Sequence, residues 1–407
     1  MNVTGIIVEY NPLHNGHVYH ISKTKELTNC DALVAVMSGP FVQRGEPSFV
    51  DKWVRTKMAL NSGVDLVIEL PVIYSKSSAE GFAFGAVSTL DATGIIDNIC
   101  FGSEIGDISA LYKIAEILVY EPSNYKTYLK NFLKLGDSYP SARLKALNNY
   151  ILYHNLLNVN DIDIENILNN SNNILGIEYI KSILKINSKI KPYTIKRIVN
   201  KYNQKNLTGN ISSATAIRKN FMNEEVKKSM PDFCYKMIKE QIENKNAPIS
   251  LKDFEDIIFY ILRTSDTKKL ENIIDVNEGL ENKLKQASED TKDIYELIKT
   301  VKSKRYTQTR IQRILINILL NHTKDLNDKI NNYPNYIRVL GFNDKGRQLI
   351  KLMKKNAKVP IITNPNKNDY NLLKLDIDAY DVYSLALNGE KRLSKSDLKS
   401  TPVYWQP

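Results

Sequence analysis

Two histidines three residues apart, His14 and His17, follow an apolar run in the segment GIIVEYNPLHNGHVYH. The turn between them contains Gly16 and leads into a predicted helix. The N-terminus of a helix carries unpaired N–H groups and the positive end of the helix dipole, and both favour bound phosphate. Imidazoles there can donate hydrogen bonds to phosphate oxygens and stabilise charge that grows in a phosphorus-centred transition state. The motif therefore favours a site for phosphate chemistry.

Two other interpretations of the HNGH motif stay open. Histidine pairs bind zinc, but no carboxylate or thiol lies at a helpful spacing from His14 and His17, so we predict no metal held by protein side chains. The histidines can also do no more than cap the helix that they begin. The motif alone does not choose among the three.

A second polar cluster, ISSATAIRK at residues 211–219, has serines at the start of a predicted helix and Arg218 about a turn and a half inside it. Serine hydroxyls and N-terminal amides can hold an anion, and the arginine fork can donate to phosphate. Alone, the string is only a capped helix. Together with HNGH it predicts two walls of one phosphate site.

The first hundred residues must position these motifs, and they alternate between apolar runs and amphipathic helices. The runs at 4–10, 31–38, 64–71 and 95–102 predict strands. This alternation is typical of parallel strands covered by helices on both faces, so we predict an α/β, Rossmann-like fold. Ligands of such sheets bind beyond the carboxyl ends of the strands, where HNGH and the segments SGPFVQRGEPSF and FGSE occur.

The pattern changes along the rest of the chain. Residues 105–190 are predicted to be mostly helical, and PYTIKRIV at 192–199 predicts a further strand. Beyond about residue 220, long amphipathic segments predict helices, with a strand-helix-strand pattern near the end. We predict an α/β domain in residues 1–220 and a mainly helical, basic domain in residues 221–407.

Composition adds a partner class and a compartment. The chain has 407 residues, 56 Lys and Arg against 45 Asp and Glu, and a formal charge of +11. This balance favours a polyanionic partner, although a lysine-rich composition without any partner is the alternative. The three cysteines are far apart, which favours a reducing cytoplasm. We expect no export signal and no membrane span, because no apolar run is long enough.

The segment KSKRYTQTRIQR is the best candidate for RNA binding in the helical half. Its candidate contacts are Lys302, Lys304, Arg305, Tyr306, Arg310 and Arg313. Basic side chains on phosphates would give a salt-dependent affinity, and the tyrosine could stack on a base. A solvated helix face is the alternative.

The pairing of HNGH with SSATAIR resembles the nucleotidyltransferase superfamily with H-x-G-H and I-S-S-T-x-x-R motifs, whose members bind ATP and transfer AMP. Ala214 stands here as an extra residue between Ser213 and Thr215. The closer similarity is to the bacterial tRNA(Met) cytidine acetate ligase family. MSGPFVQRGEPSFVDKWVRTKMAL, FGSE, NNILGIEYIKSI and IKRI carry this resemblance through the first 220 residues, and TQTRIQRILINILL and IRVLGFNDKGR extend it more loosely.

The resemblance implies a two-step reaction. Acetate attacks the α-phosphate of ATP and gives acetyl-adenylate and pyrophosphate. The N4 amine of the wobble cytidine in elongator tRNA(Met) then takes the acetyl group, which forms N4-acetylcytidine. ATP, expected with Mg²⁺, acetate and tRNA are the implied substrates. The residues suit this reaction, because adenylation of a carboxylate needs positioned phosphates and charge neutralisation more than a protein nucleophile.

The resemblance also implies roles for individual residues, with His14 and His17 as catalytic candidates. The implied nucleotide-binding positions are Ile7, Val8, Glu9, Tyr10, Asn11, Pro12, Leu13, His14, Asn15, Gly16, His17, Val18, Tyr19, His20, Gly102, Asn172, Asn173, Arg197, Ser213, Thr215 and Arg218. For Gly102 a plain turn at the end of a strand is the alternative. For Asn173 the alternative is a helix N-cap.

The loop SGPFVQRGEPSF supplies two further catalytic candidates. Gln43 and Arg44 lie between glycines and prolines that shape the loop, and Lys52 and Arg55 follow on one face of the next predicted helix. We predict that Arg44 or Lys52 positions acetate or the leaving pyrophosphate. A solvated basic face is the alternative for Lys52 and Arg55.

Three functions fit the sequence. The first is an ATP-dependent acetate ligase that acts on tRNA. The second is an adenylyltransferase that attaches AMP to a small phosphorylated metabolite, although a small substrate does not require a large basic helical half. The third is an RNA-binding protein whose nucleotide domain has lost turnover.

Overall fold

A computed structural model describes residues 1–154, 164–197, 210–326, 328–329 and 332–406. The strands in these residues are β1 (Val3–Val8), β2 (Ala32–Ser38), β3 (Phe41–Val42), β4 (Glu46–Pro47), β5 (Leu66–Leu70), β6 (Asn98–Ser103), β7 (Lys191–Lys196), β8 (Ile337–Phe342), β9 (Ile361–Ile362) and β10 (Val403–Tyr404). No helix within the described ranges is both long and apolar enough to span a bilayer.

Eight strands form one sheet in the order β10-β8-β5-β2-β1-β6-β7, with β9 also paired to β8. The five strands from β5 to β7 are mutually parallel, with Ile6 opposite Ala35 and Cys100 opposite Tyr193. Strand β8 is antiparallel to β5 and parallel to β9 and β10. The mostly parallel α/β fold predicted from the sequence is therefore confirmed.

The end of the chain returns to this sheet. Strands β8, β9 and β10 belong to the part of the chain for which the sequence predicts a mainly helical domain, yet they extend the sheet of the first half. The boundary at residue 220 stays a prediction. The middle of the predicted second domain, from 232 to 319, contains helices and no strand.

Helices cover the sheet and continue into that middle part. In the first half they are α1 (Asn15–Thr28), α2 (Lys52–Asn61), α3 (Val72–Ser75), α4 (Ala79–Ala92), α5 (Ile108–Tyr120), α6 (Ser123–Lys134), α7 (Tyr139–Tyr153), α8 (Ile164–Asn169), α9 (Ser171–Lys185) and α10 (Ala214–Lys219). The later helices are α11 (Asp232–Glu243), α12 (Glu255–Thr264), α13 (Thr267–Glu271), α14 (Leu280–Asp290), α15 (Ile294–Val301), α16 (Gln308–Leu319), α17 (Asp344–Asn356) and α18 (Tyr370–Ser384).

The core follows from strands that are apolar on both faces. Every residue of β2 and of β5 is buried, as expected for parallel strands between two helical layers. Helices α4, α5, α9 and α17 pack on one face, and α1, α2 and α11 pack on the other. Helices α12 to α16 bury a separate apolar cluster that also receives Phe41 from β3. This contact joins the helical part to the loop that follows β2.

A buried ionic cluster fastens the end of the chain to the sheet. Lys52 Nζ lies 2.8 Å from Glu69 Oε1 and 2.9 Å from Asp397 Oδ1. The guanidinium of Arg338 donates a second hydrogen bond to the Asp397 carboxylate. All four side chains are at most 1% exposed. Helix α2, β5, β8 and the segment around residue 397 are thereby linked.

Candidate active site

The HNGH and FGSE motifs lie where the order of the parallel strands reverses. From β1 the chain passes to β2 on one side, and later to β6 on the other side of β1. HNGH follows β1 and FGSE ends β6, so both lie at the carboxyl edge of the sheet beside this switch point. Sheets of this class bind ligands at that place.

The HNGH turn is a capping box that also fixes the histidine tautomers. His14 Nδ1 accepts from the Gly16 N–H at 3.1 Å, and His17 Nδ1 accepts from the His14 N–H at 3.3 Å. A neutral imidazole whose Nδ1 accepts must carry its proton on Nε2. Both rings therefore have Nε2–H as a donor for a ligand. Capping and ligand binding, which the sequence offered as alternatives, are compatible.

Burial keeps these rings neutral. The imidazoles of His14 and His17 stack with centroids 3.8 Å apart, and His14 is 7% exposed. Loss of water, with smaller contributions from Arg197 and Arg218, lowers the pKa of His14 to about 3, and burial also lowers the pKa of His17 well below its usual value. The pair can donate hydrogen bonds without adding positive charge.

His20 lies one turn further along α1. Burial lowers its pKa to about 4, and its Nε2 has no hydrogen-bond partner among the described residues. Elsewhere in residues 7–20, the side chains of Val8, Tyr10 and Leu13 are buried in the core. Only the backbone of these three can meet the predicted nucleotide.

The HNGH and SSATAIR motifs lie side by side, as their pairing predicts, and each bonds to a residue that flanks the other. Asn15 Nδ2 donates to the carbonyl of Asn210 at 2.8 Å, and Arg218 Nη1 donates to the carbonyl of Asn11 at 2.8 Å. A Cβ added at Gly16 would lie 3.8 Å from the side chain of Ile211. The second motif therefore forms a wall beside the first.

The serine of this wall acts as a helix cap. Ser213 is the N-cap of α10 and its hydroxyl accepts from the Ala216 N–H at 3.1 Å. Thr215 follows in the first turn and is partly buried. The structure thus places both beside HNGH, and their contact with phosphate stays a prediction.

The β6 side of the site is held by two asparagines. Asn173 Oδ1 accepts from the N–H groups of Glu104 at 2.9 Å and Ile105 at 3.2 Å. Asn172 Nδ2 donates to Glu104 Oε1 at 2.6 Å, and Arg197 Nη1 donates to Asn172 Oδ1 at 3.2 Å. The N-cap of α9 is Asn170, so the N-cap alternative for Asn173 is wrong. These residues shape the FGSE loop, and Glu104 is a partner that the sequence did not single out.

Gly102 leaves room for a neighbour across this edge. A Cβ added there would lie 3.2 Å from Arg197 Cγ, which is closer than most contacts that real Cβ atoms make. Arg197 follows β7 directly, and its N–H donates to the carbonyl of Ser103 at 2.9 Å. The predicted positions Gly102 and Arg197 are therefore adjacent at the carboxyl edge.

The loop after β2 folds over the same edge as the short hairpin β3-β4. The N–H of Gln43 donates to Glu9 Oε1 at 2.8 Å. Burial raises the pKa of Glu9, and Arg44 and Arg218 oppose that rise. Glu46 accepts from Arg218 Nη2 at 2.9 Å, which ties the loop to the SSATAIR wall. Arg44 lies at the tip of this hairpin, near the Glu9 carboxylate.

Arg55 organises the floor of the site, a role that the sequence did not predict. It is fully buried, with Nε donating to the carbonyl of Val50 at 3.1 Å. Nη1 donates to the carbonyls of Glu9 at 2.7 Å and Ser38 at 2.8 Å, and Nη2 donates to that of Gly39. One guanidinium thus joins the carboxyl ends of β1 and β2. The alternative of a solvated basic face is wrong for this residue.

The prediction that Lys52 positions a ligand is wrong, because Lys52 has a structural role. It is 0% exposed, and its ammonium bonds to the carboxylates of Glu69 and Asp397. Those partners use the charge that the sequence assigned to acetate or pyrophosphate. A helix position alone could not reveal a carboxylate 345 residues further along the chain.

The prediction that Tyr306 stacks on an RNA base is also wrong. It is 8% exposed, its hydroxyl donates to the carbonyl of Asn277 at 2.9 Å, and the guanidinium of Arg310 lies 4.8 Å from its ring centroid. The covered ring has no free face on which a base could stack. Tyr306 instead supports the turn before α16.

The other members of this patch differ in accessibility. Lys302, Lys304 and Arg305 are exposed, and Arg305 pairs with Glu278. Arg313 is partly buried, and its backbone lies where a Cβ on Gly45 would be. This part of α16 therefore packs on the active-site loop, and RNA contact by the exposed residues stays a prediction.

The chain is similar to known proteins along its whole length. Residues 1–397 match the HIGH Nucleotidyl Transferase family. The tRNA(Met) cytidine acetate ligase of Thermoanaerobacter sp. (strain X514) is 49% identical over 394 residues, covering 95% of this chain and 96% of that protein. Its namesake in Clostridium perfringens (strain ATCC 13124) is 46% identical and covers 100% of both chains.

Two solved structures share the fold. The crystal structure of Thermotoga maritima TmcAL in its apo form has a TM-score of 0.91 and 38% identity, covering 99% of both chains. The structure of the same protein bound with alpha-thio ATP has a TM-score of 0.90 and 37% identity, again covering 99% of both chains.

Proposed function

Because the chain belongs to the HIGH Nucleotidyl Transferase family, in the branch of the tRNA(Met) cytidine acetate ligases, we propose that it is an ATP-dependent ligase that joins acetate to a cytidine of tRNA(Met). The observation that carries the proposal is the pair of neutral Nε2–H imidazoles at the switch point, beside the SSATAIR wall. The solved relative that is similar over its whole length binds an ATP analogue.

In the first step an acetate oxygen attacks the α-phosphorus of ATP, and the bond to the bridging oxygen of pyrophosphate breaks. His14 and His17 donate Nε2–H hydrogen bonds to the phosphates, and their neutrality avoids a proton transfer during the step. Arg218 and the N-terminus of α1 favour the negative charge. We place Arg44 near acetate or pyrophosphate, because it lies at the tip of the β3-β4 hairpin and acts on the Glu9 carboxylate.

In the second step the N4 amine of the wobble cytidine attacks the acyl carbon of acetyl-adenylate. The acyl-oxygen bond breaks, AMP leaves, and the amine loses one proton. This step needs the base to lie close to the mixed anhydride while water is kept out. The elongator tRNA identity and the wobble position are part of the proposal, and tRNA places the reaction in the cytoplasm.

Mg²⁺ supplies charge neutralisation to ATP when it is bound. In the described part of the chain no three acidic, histidine or cysteine side chains gather around one point. The ion would neutralise charge on the phosphates of the nucleotide, and Glu9, the acidic side chain nearest to the HNGH turn in sequence, would be its candidate protein ligand.

The decisive experiment supplies the protein with ATP, labelled acetate and total tRNA, and then measures acetylcytidine in the nucleoside digest. We expect label in tRNA only when ATP is present. His17→Ala removes the ring and its Nε2–H donor, so the rate per folded molecule should be about 100-fold lower.

Two outcomes would contradict the proposal. Use of ATP without label in tRNA would favour an adenylyltransferase of a small phosphorylated metabolite. Binding of tRNA with neither ATP use nor acetylation would favour an RNA-binding protein without turnover. Equal rates for His17→Ala and the unsubstituted protein would remove the imidazole from the mechanism.

A further inference from the structure

Helices α6 and α7 form a helical hairpin, residues 123–153, that differs in charge from the chain around it. The two helices pack against each other, and α7 also contacts α8. Residues 123–154 contain five basic residues and a single acidic one, Asp137. Such a concentration of one sign favours an anionic partner.

The lysines of α6 form a stripe along one side. Lys126, Lys130 and Lys134 are spaced by four residues, so they share a face of the helix, and all three are exposed. Tyr125 and Phe132 lie on the opposite side and pack into the core. The stripe is the solvent face of a helix that contains no acidic residue.

The second helix of the hairpin carries an exposed aromatic ring at each end. Tyr139 at the start of α7 is 55% exposed, and Tyr153 at its end is 70% exposed. Aromatic rings between basic side chains are typical of surfaces that bind single-stranded or looped RNA, because a base can stack on the ring while lysines contact phosphates.

The position of the hairpin also suits the binding of a molecule that reaches into the active site. A single residue separates α8, which α7 contacts, from α9. The first turn of α9 carries Asn172 and Asn173 at the carboxyl edge of the sheet. Helix α17 is basic as well, but its C-terminal end lies at the opposite edge of the sheet. There the N–H of Lys358 donates to the carbonyl of Ala92 at 2.9 Å, ahead of β6.

We propose that the lysine stripe on α6 contacts the phosphate backbone of the tRNA substrate. This inference rests on the proposed function and adds a surface outside the HNGH site. The patch predicted around residue 305 is the weaker of the two, because its aromatic ring, Tyr306, is covered. Ion pairing does not separate the two surfaces, since Arg305 pairs with Glu278 and Lys126 of the stripe lies 3.8 Å from Glu121.

The test compares two triple variants of the full chain. Lys126→Gln, Lys130→Gln and Lys134→Gln together remove the stripe, and Lys351→Gln, Lys354→Gln and Lys355→Gln on α17 serve as the matched control. For the stripe variant we expect tRNA affinity to fall about ten-fold or more and the slope of log affinity against log salt to decrease by about 2 to 3. The control should keep both values.

Acetate-dependent exchange of pyrophosphate into ATP, measured without tRNA, should be unchanged in the stripe variant, because the stripe lies outside the nucleotide site. Unchanged tRNA affinity and salt slope would overturn the inference. So would a variant that loses binding to vesicles of anionic lipid but keeps tRNA binding, since the stripe would then be a membrane contact. If the unsubstituted protein exchanges pyrophosphate but never acetylates tRNA, the proposed function fails instead.

Discussion

At His14 and His17 the backbone decides which ring nitrogen carries the proton. Each Nδ1 accepts from a main-chain N–H of the same turn, so each Nε2 is left as a donor. The spacing of three residues is what lets the second ring reach back to the N–H of the first. A local motif thus fixes both the shape of the helix start and the hydrogen-bonding character of the site.

The neutrality of His14 gives a prediction about pH. An unfolded histidine takes up a proton near pH 6.5, whereas the folded His14, whose pKa is lowered to about 3, does not. Between pH 7 and pH 5 the unfolded state therefore binds more protons, so stability falls as the pH falls. His14→Asn keeps a capping acceptor but lacks the group that titrates. Its free energy of unfolding should therefore fall by about 2 kcal/mol less between pH 7 and pH 5 than that of the unsubstituted protein.

Urea unfolding at pH 7 and pH 5 measures this difference. His154→Asn, at an exposed histidine, is the control, and its change over the same range should match that of the unsubstituted protein. If the free energy of unfolding falls equally in the His14 variant and the unsubstituted protein, the buried imidazole takes up a proton in the folded state.

At the scale of elements, Arg55 on α2 joins the ends of two strands that carry the active-site loops. Its bonds to the carbonyls of Glu9, Ser38 and Gly39 set the distance between the HNGH turn and the β3-β4 hairpin. We expect Arg55→Lys to lower the rate of acetate-dependent pyrophosphate exchange about 100-fold at saturating ATP, because an ammonium cannot reach all of these acceptors and the loops will shift.

Arg338→Lys is the matched control for this prediction. Arg338 is also buried, at 1% exposed, but it bonds to Asp397 instead of the active-site loops. It should lower the free energy of unfolding without changing the exchange rate per folded molecule. If Arg55→Lys behaves in the same way, Arg55 has a structural role only.

At the scale of the whole molecule, the last residues are part of the α/β core. Asp397 is 0% exposed, and although burial opposes its ionisation, Arg338 and Lys52 hold its pKa below the usual value. Asp397→Asn would leave two buried cations with too little negative charge. We expect a loss of about 3–5 kcal/mol in the free energy of unfolding at pH 7.

A surface ion pair provides the comparison for Asp397. Asp378 pairs with Lys374 on α18 and its side chain is 42% exposed, so Asp378→Asn should cost less than about 1 kcal/mol. Similar losses in both variants, measured by urea unfolding, would contradict a central role for the buried cluster.

The sequence by itself determined the features that neighbouring residues encode. The apolar runs of β1, β2, β5 and β6 predicted the parallel sheet, and the fold is confirmed. HNGH and SSATAIR predicted two walls of one site, and they lie side by side, each bonded to a residue that flanks the other. Turn chemistry and hydrophobic period act within a few residues, so they can be recognised along the chain.

Only the tertiary structure decided the fate of individual charges and the end of the chain. Lys52 and Arg55 look alike on one helix, yet one lies in an ion cluster and the other holds the active-site loops. Strands β8 and β10 join a sheet that begins more than three hundred residues earlier. The burial of a charge depends on partners distant in sequence, because desolvation is offset only when the folded chain brings those partners within hydrogen-bonding distance.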